Sequence, residues 1–188
     1  PSMTSVHPRD LLLAPQLPAA AALEILSAHG FRDPRSADED LQRIAAEPRL
    51  RLLLADVIEP LLSSAAAAAD PDQALNLFER FTRASVNRGE LLHFLGRNPS
   101  ALDMLVRTCG ASPFMAEILI RHPGYFFWLA DPEVLSRPRR TPVLRRELAD
   151  EAQALREPGH RLDALRRFKR RELLHIGVRD LLSLATVP

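Results

Sequence analysis

Proline and glycine punctuate this chain where helices begin and end. Asp70-Pro71 and Ser112-Pro113 each set a side chain with an accepting oxygen just before a proline, the order of a helix N-cap and its first turn. Gly30 and Gly110 close apolar helical patterns, and Gly30 suits the left-handed residue that ends a helix. Between the breaks the apolar residues are mostly Ala and Leu. Both lose little side-chain freedom in a helix, whereas strands favour β-branched and aromatic types. Trp and Tyr occur once each, and no useful run of strand alternation occurs. The pattern therefore predicts an all-α fold: an irregular bundle of short helices with a long basic helix at its C-terminal end.

The breaks set the organisation. Residues 1–17 are Pro-rich and irregular and read as a flexible arm; residues 18–188 read as one helical domain. A first helix is expected over about 18–29, with Leu23, Ile25 and Leu26 inward. A second begins near Ser36 with acidic residues in its first turn, where the helix dipole favours anions, and ends before Pro48. The third spans about 49–69; Pro60 should kink or split it, and the Ala65–Ala69 run suits a close helix contact or a frayed end. Asp70-Pro71-Asp72 opens a helix to about Asn87, followed by short helices at 91–95, 100–109 and 113–122. The last two of these point Leu102, Leu105, Phe114, Met115, Ile118 and Leu119 inward. Tyr125 to Leu129 reads as an aromatic helix pushed into the core. A basic linker, Arg137 to Pro142, leads to two final helices near 143–156 and 160–186.

Composition excludes several classes of function. The net charge is +1, which gives no global pull toward polyanions. The single cysteine, Cys109, rules out a disulfide or a Cys-based zinc cluster within the chain and reads as a small buried hydrophobe. No apolar stretch reaches the length of a membrane span, and Leu11 to Ala14 is too short for a secretory core, so a cytoplasmic protein is expected. No phosphate-cradling glycine loop, H-E-x-x-H or Cys/His metal spacing occurs, and the histidines are dispersed. No catalytic, cofactor-binding or metal-binding residue is therefore nominated.

The C-terminal helix carries the candidate contact surface. At about 100° per residue, Leu162, Leu165, Phe168, Leu173 and Ile176 form one apolar stripe. On that reading Phe168 is buried, and Phe168→Ala should cost about 3–5 kcal/mol. Arg166, Arg167, Arg170 and Arg171 form a cationic face opposite. Two readings stand for it: a solvated face with local pairs to Asp163 and Glu172, or a contact for an anionic group or a neighbouring domain. Nucleic acid fits poorly, because no aromatic stacking groups lie on the basic face. Arg179 and Asp180 fall at the edge of the stripe, where charges need partners. These are either ion pairs to neighbouring helices or a following domain.

Several stretches, taken in order, resemble the glutamine synthetase adenylyltransferase family. Gly30-Phe31-Arg32-Asp33-Pro34 is similar to its G-F-x-D-P turn. Asp70 to Leu75, Leu91 to Leu95 and Asn98-Pro99 resemble its helical midsection. Ser112 to Pro123 resembles S-x-x-x-A-x-x-L-x-x-H-P, with Ala116 and Leu119 in place. Leu165 to Leu181 is similar to L-R-x-F-[KR]-x-x-x-L-x-R-I-A-x-x-D, although His175 stands where Arg is commoner and Gly177 where Ala is. The resemblance covers most of residues 23–185. The family's G-x-G-K-L-G-G stretch and S-D-[IL]-D acidic pair do not occur in these residues, so no catalytic position carries over.

The resemblance implies a non-catalytic helical leader, ahead of a downstream nucleotidyltransferase domain. The parent enzyme would add AMP to glutamine synthetase and remove it, using ATP and Mg²⁺ and answering to the PII signal protein. A stand-alone helical interaction module is the alternative that the short helix pairs alone support.

Overall fold

A computed structural model describes residues 7–153 and 157–184. The ends of the arm (1–6), of the penultimate helix (154–156) and of the last helix (185–186) lie outside the described residues. Twelve helices and no strand occur among those described. The fold is all-α. The chain divides at Pro123 and Gly124 into two compact units.

The first unit contains α1 (Asp10–Leu13), α2 (Ala19–Ala28), α3 (Pro34–Ile44), α4 (Pro48–Ala66), α5 (Pro71–Ala84), α6 (Arg88–Arg97), α7 (Pro99–Ala111) and α8 (Pro113–Arg121). Their starts follow from local chemistry. Asp33, Asp70, Asn87 and Ser112 each accept the backbone N–H three residues on, satisfying an otherwise orphaned donor. The second helix thus begins at Pro34, ahead of the Ser36 start expected. Gly30 holds φ +85°, the left-handed geometry that ends α2 cheaply only for glycine. Asp72 then ties this turn to α5, accepting from Arg32 N and Asp33 N at 3.0 Å each.

Helices α4, α5 and α7 form the centre: α5 packs on α7, α3 and α8, and α4 packs on α6 and α7. Leu54, Leu61, Leu75, Phe78, Phe81, Leu102 and Leu105 are fully buried there. Pro60 does not split α4. Pro60 and Asp56 both lie on the exposed face, so the carbonyl that the proline leaves without a donor can meet water. The alanine run does both: α4 ends at Ala66, and Ala68 beyond it makes a close contact. A Cβ on Gly110 would sit 2.6 Å from Ala68 Cβ, so only glycine lets the end of α7 approach so near. Gln73 Nε2 locks this junction, donating to Cys109 O at 2.9 Å and to Gly110 O at 3.2 Å. In α8, Ala116, Ile118 and Leu119 face inward, but Phe114 is exposed.

Within the stretch assigned to the arm, α1 packs on α4, with Leu11 and Leu12 buried. Arg9 Nη2 reaches Asp56 at 2.8 Å.

The second unit comprises α9 (Gly124–Leu129), α10 (Pro132–Ser136), α11 (Thr141–Gln153) and α12 (Pro158–Leu181). In α9 only Phe126 and Leu129 are buried, while Phe127 is exposed. Helix α11 packs against α12, and α9 against α10.

Candidate functional site

Helix α12 is rotated relative to the sequence wheel. Leu162, Leu165, Leu173 and Ile176 are exposed, Ile176 by 60%. The side turned inward carries Ala164, Leu174 and Val178 together with Glu172, His175 and Arg179. Phe168 is half-buried. A wheel that assigns charge to water could not find this face, because the inward charges are matched by groups from elsewhere in the second unit.

Trp128 of α9 is the hub. The guanidinium carbons of Arg139 and Arg171 lie 5.5 and 5.4 Å from its ring centroid, within cation–π range. Arg171 also sits 5.1 Å from the centroid of Phe168. Its three nitrogens each reach a carboxylate: Glu147 at 3.2 Å, Glu151 at 3.3 Å and Glu172 at 3.4 Å. Arg139 pairs with Glu147 and, at 3.4 Å, with Glu172. Planar guanidinium groups can stack on an aromatic face and bind carboxylates at their edges at the same time, which lysine cannot do.

His175 lies against the same ring, 5.6 Å between centroids. Its Nε2 is 2.8 Å from Val134 O. A carbonyl only accepts, so the neutral ring carries its proton on Nε2. Burial pushes the His175 pKa down from its ordinary 6.5; the Val134 bond and Glu172 oppose that, while Arg179 and Arg139 add to it. Arg179 donates to Leu135 O, and to Leu184 O at 2.8 Å. Its partners are therefore backbone carbonyls rather than the carboxylates of neighbouring helices.

The six residues nominated from sequence thus separate. Arg171 and Arg179 are drawn into this network. Arg166 is exposed and pairs with Asp163 at 3.0 Å. Arg167, Arg170 and Asp180 are exposed. Trp128, Arg139, Glu147 and His175 were not nominated. The single Trp, Trp128, followed nine residues on by a basic linker, was the one available signal.

Two recesses flank the linker. One of about 590 Å³ is lined by Val134, Val143 and arginines 137, 139 and 140. The other, of about 240 Å³, is lined by residues that include Arg139, Glu172, His175 and Arg179. Arg139 is already held by two carboxylates, Glu147 and Glu172. Among the described residues no cluster of three His, Cys, Asp or Glu could hold a metal, and no helix is long and apolar enough to cross a membrane. Cys109 is buried, which pushes its thiol up to about 12 and keeps it unreactive.

The described residues form an all-α fold ordered by turn and cap motifs, with a charged aromatic lock on its last helix. Sequence comparison gives the family. Residues 102–188 match the family model of glutamate-ammonia ligase adenylyltransferase. The chain is also 33% identical over 171 residues to a bifunctional glutamine synthetase adenylyltransferase/adenylyl-removing enzyme of Thioalkalivibrio sulfidiphilus, a match covering 86% of the chain. The chain belongs to the glutamine synthetase adenylyltransferase family. It spans 18% of the length of that relative. No solved structure matches it.

Proposed function

We propose that this chain is a non-catalytic helical part of a protein that adds AMP to glutamine synthetase and removes it. The observation that carries the reading is the 33% identity running through 86% of the chain, in sequence that holds neither the family's Gly-rich stretch nor its acidic pair. Catalysis then belongs to a downstream nucleotidyltransferase domain, with ATP and Mg²⁺ bound there. In this reading the chain is cytoplasmic, supports that domain and presents a surface to glutamine synthetase or to the PII signal protein. The outward face of α12 suits such a contact, because Leu162, Leu165, Leu173 and Ile176 lie exposed among Arg166, Lys169 and Arg170.

The test compares two proteins. The chain alone, given ATP, Mg²⁺ and glutamine synthetase, should neither add nor remove AMP. A full-length family member should do both, and should lose activity when Leu173 and Ile176 are both replaced by Asp. Adenylate transfer by the chain alone would overturn the reading.

A further inference from the structure

The smaller recess beside the linker opens on a histidine that is only half used. It measures about 240 Å³ and lies within the second unit, between the linker, α11 and α12. Pro138, Leu144 and Ile176 give it apolar walls; Arg139, Glu172 and Arg179 complete them around His175. Pockets for drug-sized ligands run about 300–1,000 Å³, so this one has room for a single ring or side chain.

His175 is 2% exposed, and one of its two ring nitrogens has a protein partner. Nε2 donates to Val134 O at 2.8 Å, whereas Nδ1 makes no hydrogen bond among the described residues. No buried side-chain nitrogen or oxygen among them is left without a partner. Nδ1 therefore reaches solvent, and the recess is the opening that His175 lines. The Val134 bond fixes which nitrogen carries the proton, and the Trp128 ring, 5.6 Å away between centroids, holds the imidazole in place. Burial keeps that imidazole neutral by lowering its pKa. Nδ1 thus presents a fixed, unused lone pair at the wall of the recess. The charges around it are already matched. Arg139 pairs with Glu172 at 3.4 Å, and Arg179 donates to Leu135 O and Leu184 O.

From this geometry we infer that the recess binds a neutral phenol, whose hydroxyl donates to His175 Nδ1. The ring lies against Pro138, Leu144 and Ile176. The planar guanidinium groups of Arg139 and Arg179 favour an aromatic face over an alkyl chain there. A carboxylate has no proton to offer Nδ1 and must face Glu172. An ammonium has the proton but must face two arginines. A neutral donor meets neither cost. A tyrosine side chain of a docked protein and a free phenolic molecule present the same ring and hydroxyl. The inference is independent of the adenylyltransferase reading and survives its failure.

The test is an NMR titration of the isotope-labelled chain at neutral pH, following the ring nitrogens of His175. The probes are phenol, anisole, benzoate and N-acetyltyrosinamide. Phenol should move the Nδ1 resonance while Nε2 keeps its bond to Val134 O. It should bind about tenfold more tightly than anisole, which keeps the ring but has no donor. Benzoate should bind no better than anisole. If N-acetyltyrosinamide binds as phenol does, the ligand is a protein side chain; if phenol alone binds, it is a free small molecule. His175→Phe should bring phenol down to the level of anisole. Ile176→Ser, at a position 60% exposed, leaves the fold intact and should weaken phenol about fivefold by removing apolar wall. An unmoved Nδ1 resonance, equal affinity for phenol and anisole, tighter binding of benzoate, or no effect of Ile176→Ser would each overturn the proposal.

Discussion

The two units bury different chemistry. The first is centred on hydrocarbon: Phe78, Phe81, Leu54 and Leu75 are fully enclosed, and its charged residues sit mainly at the margins. The second closes around Trp128 with Arg139, Arg171, Glu172 and His175. Dispersion and water release hold the first and are nearly blind to pH and salt. Stacked guanidinium groups and ion pairs hold the second. They are directional, and they lose strength where either partner is removed. A dry core gives stability, whereas a charged lock gives one orientation to one helix. Under the proposed function, that contrast suits a first unit that supports and a last helix that presents a defined face.

The largest expected effect tests the dry core. Phe78→Ala should destabilise the first unit by about 3–5 kcal/mol, the range for emptying a buried aromatic site. Urea unfolding followed by circular dichroism reports both units, while Trp128, the single Trp, reports the second. A loss confined to the circular dichroism transition sharpens the contrast. Equal shifts in both signals would mean that the units unfold as one.

Breaking the lock comes next. Arg139→Ala leaves Glu172, whose side chain is 11% exposed, with Arg171 as its remaining cation among the described pairs. A loss of about 1–3 kcal/mol is expected, the usual range for stranding a charged acceptor, and it should appear in the fluorescence transition. Arg139→Lys should recover little of it, because an ammonium cannot stack on Trp128 and bridge two carboxylates together. Full rescue by Lys would reduce the lock to simple charge.

His175 makes the second unit pH-sensitive, and the sign follows from its lowered pKa. Above about pH 6.5 the ring is neutral both folded and unfolded. Below that value the unfolded ring takes a proton that the folded ring resists, so stability falls as pH falls, until the lowered folded value is reached. The thermal midpoint of the unaltered chain should therefore drop over that window more steeply than that of His175→Gln. Parallel pH profiles would remove His175 from the account.

The parts of the fold that sequence made legible were those decided locally. Asp70, Ser112 and Gly30 perform their capping roles within a few residues of themselves, so a single stretch of chain suffices to read them. The order of helices followed from the same signals. The rotation of α12 was not legible, because its determinants are remote: Trp128 on α9, Arg139 in the linker, and the Val134 and Leu135 carbonyls on α10. An Arg counts as a surface residue on a wheel until something is known to receive it. Phe114 failed likewise, being apolar in sequence and exposed in the fold. In the recess beside His175, the linker, α11 and α12 bring together residues as distant as Pro138 and Arg179, which no spacing rule connects.

The smallest effects decide the rotation itself. If the wheel were right, Phe168→Ala would cost about 3–5 kcal/mol. With the ring half-buried beneath Arg171, the loss should be about 1 kcal/mol, the size of a cation–π contact at a partly exposed site. Ile176 is the cleaner probe, because it is 60% exposed where the wheel placed it in the core. Ile176→Ser should shift stability by no more than about 0.5 kcal/mol, as surface changes do. The same substitution at its neighbour Leu174, fully buried, should destabilise strongly. Similar losses at both positions would return α12 to the orientation drawn from the sequence. They would also hide the exposed leucines and Ile176, and with them the surface proposed for contact.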